Sequence, residues 1–270
     1  MRARRGPRPQ QDPELARERE RERIEARELD QWVDEGSVRD AARAATERAG
    51  SGGAPTPRRA PQPLDADVAA ELVDAVGRER GRRLAERLAQ ASEALDRERY
   101  EEAKRIASAI GKEAPGVSAA HEVVGLAAYR LGQYRPAAKA LETARDLHTD
   151  PALLPVLADC YRALGRYSAA ERVWLEIREI SPAQEILSEG RIVAAGALAD
   201  RDDLRGAIEL LTPARPPKRV RDHHLREWYV LGDLYDRLGD PIGARRWFEH
   251  VAANDRDFAD VADRLRALGR

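Results

Sequence analysis

The chain has 270 residues, of which 42% are hydrophobic, 5% aromatic and 35% charged. Its 47 Lys and Arg against 48 Asp and Glu leave a formal net charge of −1, so no global field argues for nucleic acid or a membrane surface as partner. A single cysteine, Cys160, excludes an internal disulfide framework and any cysteine-built metal centre.

The first residues, Met1 to Pro7, are basic but run into further charge rather than an apolar segment, so no signal peptide is read there. Apolar runs such as 192–199 are too short to cross a bilayer, and the expected compartment is the cytoplasm. Only four of the basic residues are lysine; the other 43 are arginine. Guanidinium excess can signal phosphate recognition. Here it is spread evenly and accompanies abundant alanine, which points to a GC-rich genome instead.

Residues 1–63 hold 14 basic and 12 acidic residues and few large apolar ones. Such a segment cannot bury enough surface to offset the entropy of ordering, so a charged, largely disordered tail is expected. Arg17 to Arg23 alternates Arg and Glu, which puts like charges four apart on a helix and weakens it. A more hydrophobic patch follows at Leu29, Trp32 and Val33, then Ser37 and Asp40 as an imperfect capping box for a short alanine-rich helix. Residues 50–63 form a Gly/Pro linker. From Leu64 onward the apolar spacing is helical to the end, with Asp65 as the first N-cap and no strand or hairpin signal.

Self-similarity organises the helical part. Tyr100/Ala103, Tyr134/Ala137 and Tyr167/Ala170 align at spacings of 34 and 33 residues, and Leu204/Ala207 and Pro241/Ala244 extend the series. The five copies start near 84, 118, 151, 188 and 225. Small residues recur at the eighth position (Ala91, Gly125, Ala158, Ala195, Gly232) and alanine at the twentieth, where two helices press together. Larger residues at positions 4, 7, 11 and 24 fill the space against the next copy. The fourth copy diverges most, with Pro213 truncating its second helix. Asp257 to Leu268 reads as a capping helix that turns Phe258, Val261, Leu265 and Leu268 toward the stack.

The pattern resembles the tetratricopeptide repeat family. The fifth copy carries Trp228, Leu231, Gly232, Tyr235, Gly239, Ala244 and Phe248, and the third Leu157, Ala158, Tyr161, Gly165, Tyr167, Ala170, Trp174 and Pro182. The resemblance implies an all-α, right-handed superhelical solenoid of about five helix–turn–helix repeats over 64–270, stabilised by stacking. The RNA-reading pentatricopeptide repeats share the period, but Trp228, Gly232 and Tyr235 fit the protein-binding family better.

What the resemblance implies for function is a non-enzymatic scaffold or adaptor that binds a protein or peptide in its concave groove. In that family, first-helix positions 5, 9, 12 and 13 line the groove. Carried onto this sequence they include Glu122, Tyr129, Arg130, Asp159, Arg162, Tyr229, Asp233, Asp236 and Arg237. The Lys and Asn of the family's carboxylate clamp are missing, which argues against chaperone tails as ligands. The hydrophobic patch at Leu29, Trp32 and Val33 is a second candidate, as a docking motif for a partner or for the chain's own groove.

Signals for chemistry fail on inspection. His121-Glu122 begins like a zinc-protease helix, but Gly125 stands where the second histidine must be. His223-His224 point in different directions on a helix, and a surface loop is the favoured placement. Cys160 sits among packing residues and reads as a buried structural thiol. No catalytic residue, cofactor or metal is assigned. The competing class is a nucleic-acid-associated or regulatory protein using Arg2, Arg4, Arg5 and Arg8 with the basic loop 215–224, whose salt-sensitive charges argue for weak contact at most.

Overall fold

The computed structural model describes residues 64–269 apart from 181 and 216. The tail, with Leu29, Trp32, Val33 and the N-terminal arginines, lies outside the described residues. Among the described residues every regular element is helical. Twelve α-helices run in order: α1 Ala66–Val76, α2 Arg78–Asp96, α3 Tyr100–Glu113, α4 Ser118–Arg130, α5 Tyr134–Leu147, α6 Leu154–Ala163, α7 Tyr167–Ile180, α8 Gln184–Ala199, α9 Leu204–Leu211, α10 Asp222–Arg237, α11 Pro241–Asn254 and α12 Val261–Leu268.

The local starts and stops follow from side-chain chemistry. Asp65 accepts the Asp67 N–H at 2.9 Å and caps α1, as its place before the apolar run predicts. Asp203 and Asp240 accept from Gly206 and Gly243 at the starts of α9 and α11. α9 stops at Leu211, two residues before Pro213, and is eight residues long.

Five helix pairs, α2–α3 through α10–α11, are closed by the same turn. Its central residue has positive φ in every case: Glu98 (60°), Gly132 (71°), Gly165 (67°), Asp202 (64°) and Gly239 (80°). Each turn also makes the same two backbone bonds. In the first, Glu98 N–H donates to the Leu95 carbonyl at 3.0 Å and Arg99 N–H to the Ala94 carbonyl at 2.8 Å. The equivalents recur in the others, down to Gly239 to Asp236 and Asp240 to Tyr235, both 2.9 Å. This is the Schellman arrangement, which satisfies the orphan carbonyls of the first helix of each pair. Only three of the five positions are glycine, so the turn survives where the sequence does not advertise it.

Packing is between neighbours in the chain. Each helix lies against the next, and α2 also touches α4, α4 touches α6, α6 touches α8, and α8 touches α10. The buried side chains fall into three clusters, the first on α1–α4, the second from α4 to α8 and the third from α8 to α12. Close approach needs glycine at two equivalent places. A Cβ on Gly125 would lie 2.6 Å from Leu141 Cγ, and one on Gly232 2.6 Å from the Phe248 ring. There α4 presses on α5 and α10 on α11, which is what small residues at the eighth position predict.

The C-terminal helix starts later than the sequence reading places it. Asp257 to Asp260 form a turn rather than helix, with Asp257 N–H donating to Asp255 Oδ1 at 3.0 Å and Ala259 at φ 51°. The aspartate at 255 holds the chain in that turn, so the helix begins at Val261. Val261 is fully buried, and Phe258, Leu265 and Leu268 pack on the third cluster as expected.

Candidate binding cleft

Two features dominate the face built by the first helices of the pairs: a polar seam and an apolar cleft. The seam begins at Tyr129 on α4, whose hydroxyl donates to Asp159 Oδ2 on α6 at 2.5 Å. Asp159 Oδ1 also accepts from Arg162 Nε at 2.9 Å, and Arg162 Nη1 reaches Asp200 Oδ2, at the end of α8, at 2.5 Å. Tyr129, Asp159 and Arg162 are 5%, 2% and 8% exposed, so these bonds are made away from water. Burial works against the Arg162 charge, yet the carboxylates of Asp159 and Asp200 outweigh it and raise its pKa. The guanidinium stays charged and joins α6 to the end of α8, and the Tyr129–Asp159 bond extends the link to α4.

A second set occupies the C-terminal end. Tyr229 on α10 donates to Asp260, and Arg264 on α12 pairs with Asp233 and, at 3.5 Å, with Asp236. Burial, and then the Asp260 carboxylate beside it, push the Tyr229 hydroxyl up, so it remains a donor. Burial also raises the pKa of Asp233, with Arg264 pulling it back. Arg237 donates to the Ala199 carbonyl at 3.4 Å. Glu122 accepts from the Ser118 hydroxyl at 2.7 Å, and Arg130 lies 5.8 Å over the Tyr100 ring.

The nine residues expected to line a groove therefore divide. Tyr129 and Arg130 line a cleft; Glu122, Asp236 and Arg237 lie outside its lining, and so do Asp159, Arg162, Tyr229 and Asp233, whose polar atoms bond to neighbouring helices or to their own. The cleft has a volume of about 710 Å³ and takes its walls from α4, α6, α8, α10 and the turn before α12. Its apolar lining includes Leu126, Pro155, Val156, Ile186, Ile192, Val230 and Phe258. Its charged lining is Arg130, Glu185, Glu189, Asp222, Arg226 and Asp255. Leu126, Pro155 and Ile192 stand at the same positions 5 and 9 that nominated the polar set, so an apolar count at those positions finds them. Ala152, Val156, Glu189, Arg226 and Val230 stand at positions 2 and 6, which the sequence reading did not consider.

The basic loop is opposed by acid at Arg221, which lies 3.7 Å from Glu185; just beyond the loop on α10, Arg226 Nε lies 3.0 Å from Glu189. A second depression of about 480 Å³ is lined by Arg219, Arg221 and Arg226, with Glu185 and Asp222 among them.

The adjacent histidines are not in a surface loop. They form the first turn of α10, and His223 is 6% exposed. His224 Nδ1 accepts the Arg221 N–H at 3.0 Å, and the Ser188 hydroxyl donates to the His223 carbonyl at 3.3 Å. A ring nitrogen capping the helix start and a hydroxyl from α8 are what draw this stretch into the helix. Burial, and then the neighbouring ring of His224, lower the His223 pKa, while Glu185 at 3.7 Å opposes them.

Cys160 is fully buried and forms no disulfide, and His121 Nε2 lies 3.0 Å from the Pro115 carbonyl. No helix among the described residues is long and apolar enough to cross a membrane. No protein-family model matches the chain, and no curated protein matches it.

Proposed function

We propose that this chain is a non-enzymatic interaction scaffold that holds a protein or peptide partner in the cleft on its first helices, working in the cytoplasm. Its helices are read as a tetratricopeptide-type, right-handed superhelical solenoid of about five repeats with a C-terminal cap. The single observation that carries the reading is the cleft itself. One face of four successive first helices presents an apolar floor of Leu126, Val156, Ile186 and Val230 between charged rims. Such a surface suits an extended or helical segment whose apolar side chains enter the floor and whose polar atoms meet the rim.

The identical turns and the glycines at α4–α5 and α10–α11 support the repeat reading, because five pairs closed alike place equivalent faces side by side. Phosphate contact by the loop 215–224 has less support, since Glu185 already opposes Arg221 and Asp222 stands in the loop beside it.

The test is selection of peptides from a displayed library on the full-length chain. Enriched peptides are expected to bind the wild type and to lose at least about tenfold in affinity on Leu126→Glu or Ile186→Glu, side chains that are only half-buried. Ile186 also packs on the second cluster, so the decisive variant is Leu126→Glu, whose thermal unfolding should stay near that of the wild type. Peptides that bind the variants as well as the wild type, or no enrichment at all, overturn the proposal. Retention of RNA or DNA at low salt would favour the phosphate reading in its place.

A further inference from the structure

We infer that the resident occupant of this cleft is the chain's own segment around Leu29, Trp32 and Val33, so that the scaffold covers its binding surface until a partner displaces it. The inference rests on the reading of the cleft as a peptide-binding surface and adds the identity of the competing ligand. Leu29, Trp32 and Val33 are spaced i, i+3 and i+4, the spacing of three anchors on one helical face. They are flanked by Glu28, Asp30, Gln31 and Asp34, so the apolar face is narrow and bordered by polar groups. The cleft has the matching form: an apolar floor bordered by charge, with a volume of about 710 Å³.

Reach is sufficient. Residues 34–63 separate the motif from Leu64. A chain of that length extends to about 100 Å and has a typical end-to-end distance of about 30 Å. The cleft begins on α4, which packs directly against α2 and α3. Adjacent helix axes lie about 8–10 Å apart, so the near end of the cleft is a short distance from where the linker joins. The motif is bordered by Glu28, Asp30 and Asp34, and the cleft lining carries four carboxylates against Arg130 and Arg226, so apolar contact rather than charge holds the segment. Tethering raises the local concentration of the motif to the millimolar range, enough for a weak anchor to occupy the cleft most of the time.

The test uses the full chain and two readouts. The emission and acrylamide quenching of Trp32 are taken as the difference between the wild type and Trp32→Ala, which removes the signals of Trp174, Trp228 and Trp247. Docking predicts blue-shifted, quencher-protected emission that is independent of protein concentration. The protection should be lost on Ile186→Glu and on Arg226→Glu; the second lies on the rim and leaves the core untouched. The second readout is the affinity of a library-selected peptide for the wild type and for a Leu29→Ser, Trp32→Ser, Val33→Ser variant. Removal of a competitor that fills nine cleft in ten is expected to tighten binding about tenfold.

Fully quenchable Trp32 together with unchanged peptide affinity overturns the docking and leaves the peptide-binding reading standing. Failure of every peptide to bind either protein removes that reading, and Trp32 then decides docking alone. Protection that grows with protein concentration means the segment enters a second copy, which overturns the intramolecular form.

Discussion

Asp159 on α6 and Asp233 on α10 occupy the same place in their helix pairs, yet the chain uses them in opposite directions. Asp159 is reached from the preceding pair by Tyr129 and from its own helix by Arg162. Asp233 is reached from the C-terminal helix α12, by Arg264. The first is 2% exposed and its arginine partner 8%. The second retains 19% side-chain exposure, and its arginine 28%. The difference shows what an ion pair does at each depth. In the middle of the array a missing partner strands a buried charge, whereas at the end water can replace it.

The comparison breaks most sharply at Asp159. Asp159→Ala removes the carboxylate that accepts from the Tyr129 hydroxyl and from one edge of a buried guanidinium. It is expected to cost about 3–5 kcal/mol in urea unfolding. Asp233→Ala should cost about 1 kcal/mol; equal losses at the two sites would undo the contrast. Next in size are the glycine contacts. Gly232→Ala drives a methyl against the Phe248 ring, and Gly125→Ala drives one against Leu141. Both should lose about 1–3 kcal/mol, the ring site more, because a planar ring between helices has fewer ways to yield than a leucine.

Acidity sharpens the comparison at the same aspartate. Because the folded-state pKa of Asp233 lies above its ordinary value, the folded protein takes up this proton before the unfolded chain does. The contribution of Asp233 to stability therefore rises as pH falls through the carboxylate range. Wild type should gain on Asp233→Asn between about pH 6 and pH 4, followed by urea midpoints. A difference that stays flat, or moves the other way, would contradict the burial argument.

The smallest effects lie in the turns. Glu98 and Asp202 hold the positive φ that glycine holds in the other three. Relief of about 1–2 kcal/mol of strain is partly offset by about 0.5–1 kcal/mol of glycine entropy. Glu98→Gly and Asp202→Gly should therefore stabilise by roughly 0.5–1 kcal/mol. The gain should be larger for glutamate, since a short aspartate tolerates the left-handed region better. Thermal melts of the single variants check both the sign and the order.

These same residues mark the limits of sequence reading. Helicity was legible because apolar spacing of 3.6 is written in the side chains, and Gly125 and Gly232 announced close helix contact because nothing larger fits. The turns at Glu98 and Asp202 were not legible. Their conformation comes from backbone bonds to Leu95, Ala94, Ala199 and Leu198, which no side chain records. The placement of His223 was hidden for a related reason, since the groups that hold it include a hydroxyl on α8 and a ring three residues from Arg221. In the site, polar residues stand out at positions 5, 9, 12 and 13, but several are bonding partners for neighbouring helices. The apolar floor was present at positions 5 and 9 as Leu126 and Ile192, where polarity was the wrong filter.

The single thiol has a use that follows from its place. Cys160 is sealed on α6 beside the Tyr129–Asp159–Arg162 seam, midway along the helix array. A thiol reagent reaches it only when those middle helices part. Its rate of modification is thus a built-in clock for the centre of the molecule, needing no introduced label. Set beside loss of tryptophan signal from Trp228 and Trp247 near the C-terminal end, that clock tells whether the chain frays from its end inward or opens all at once.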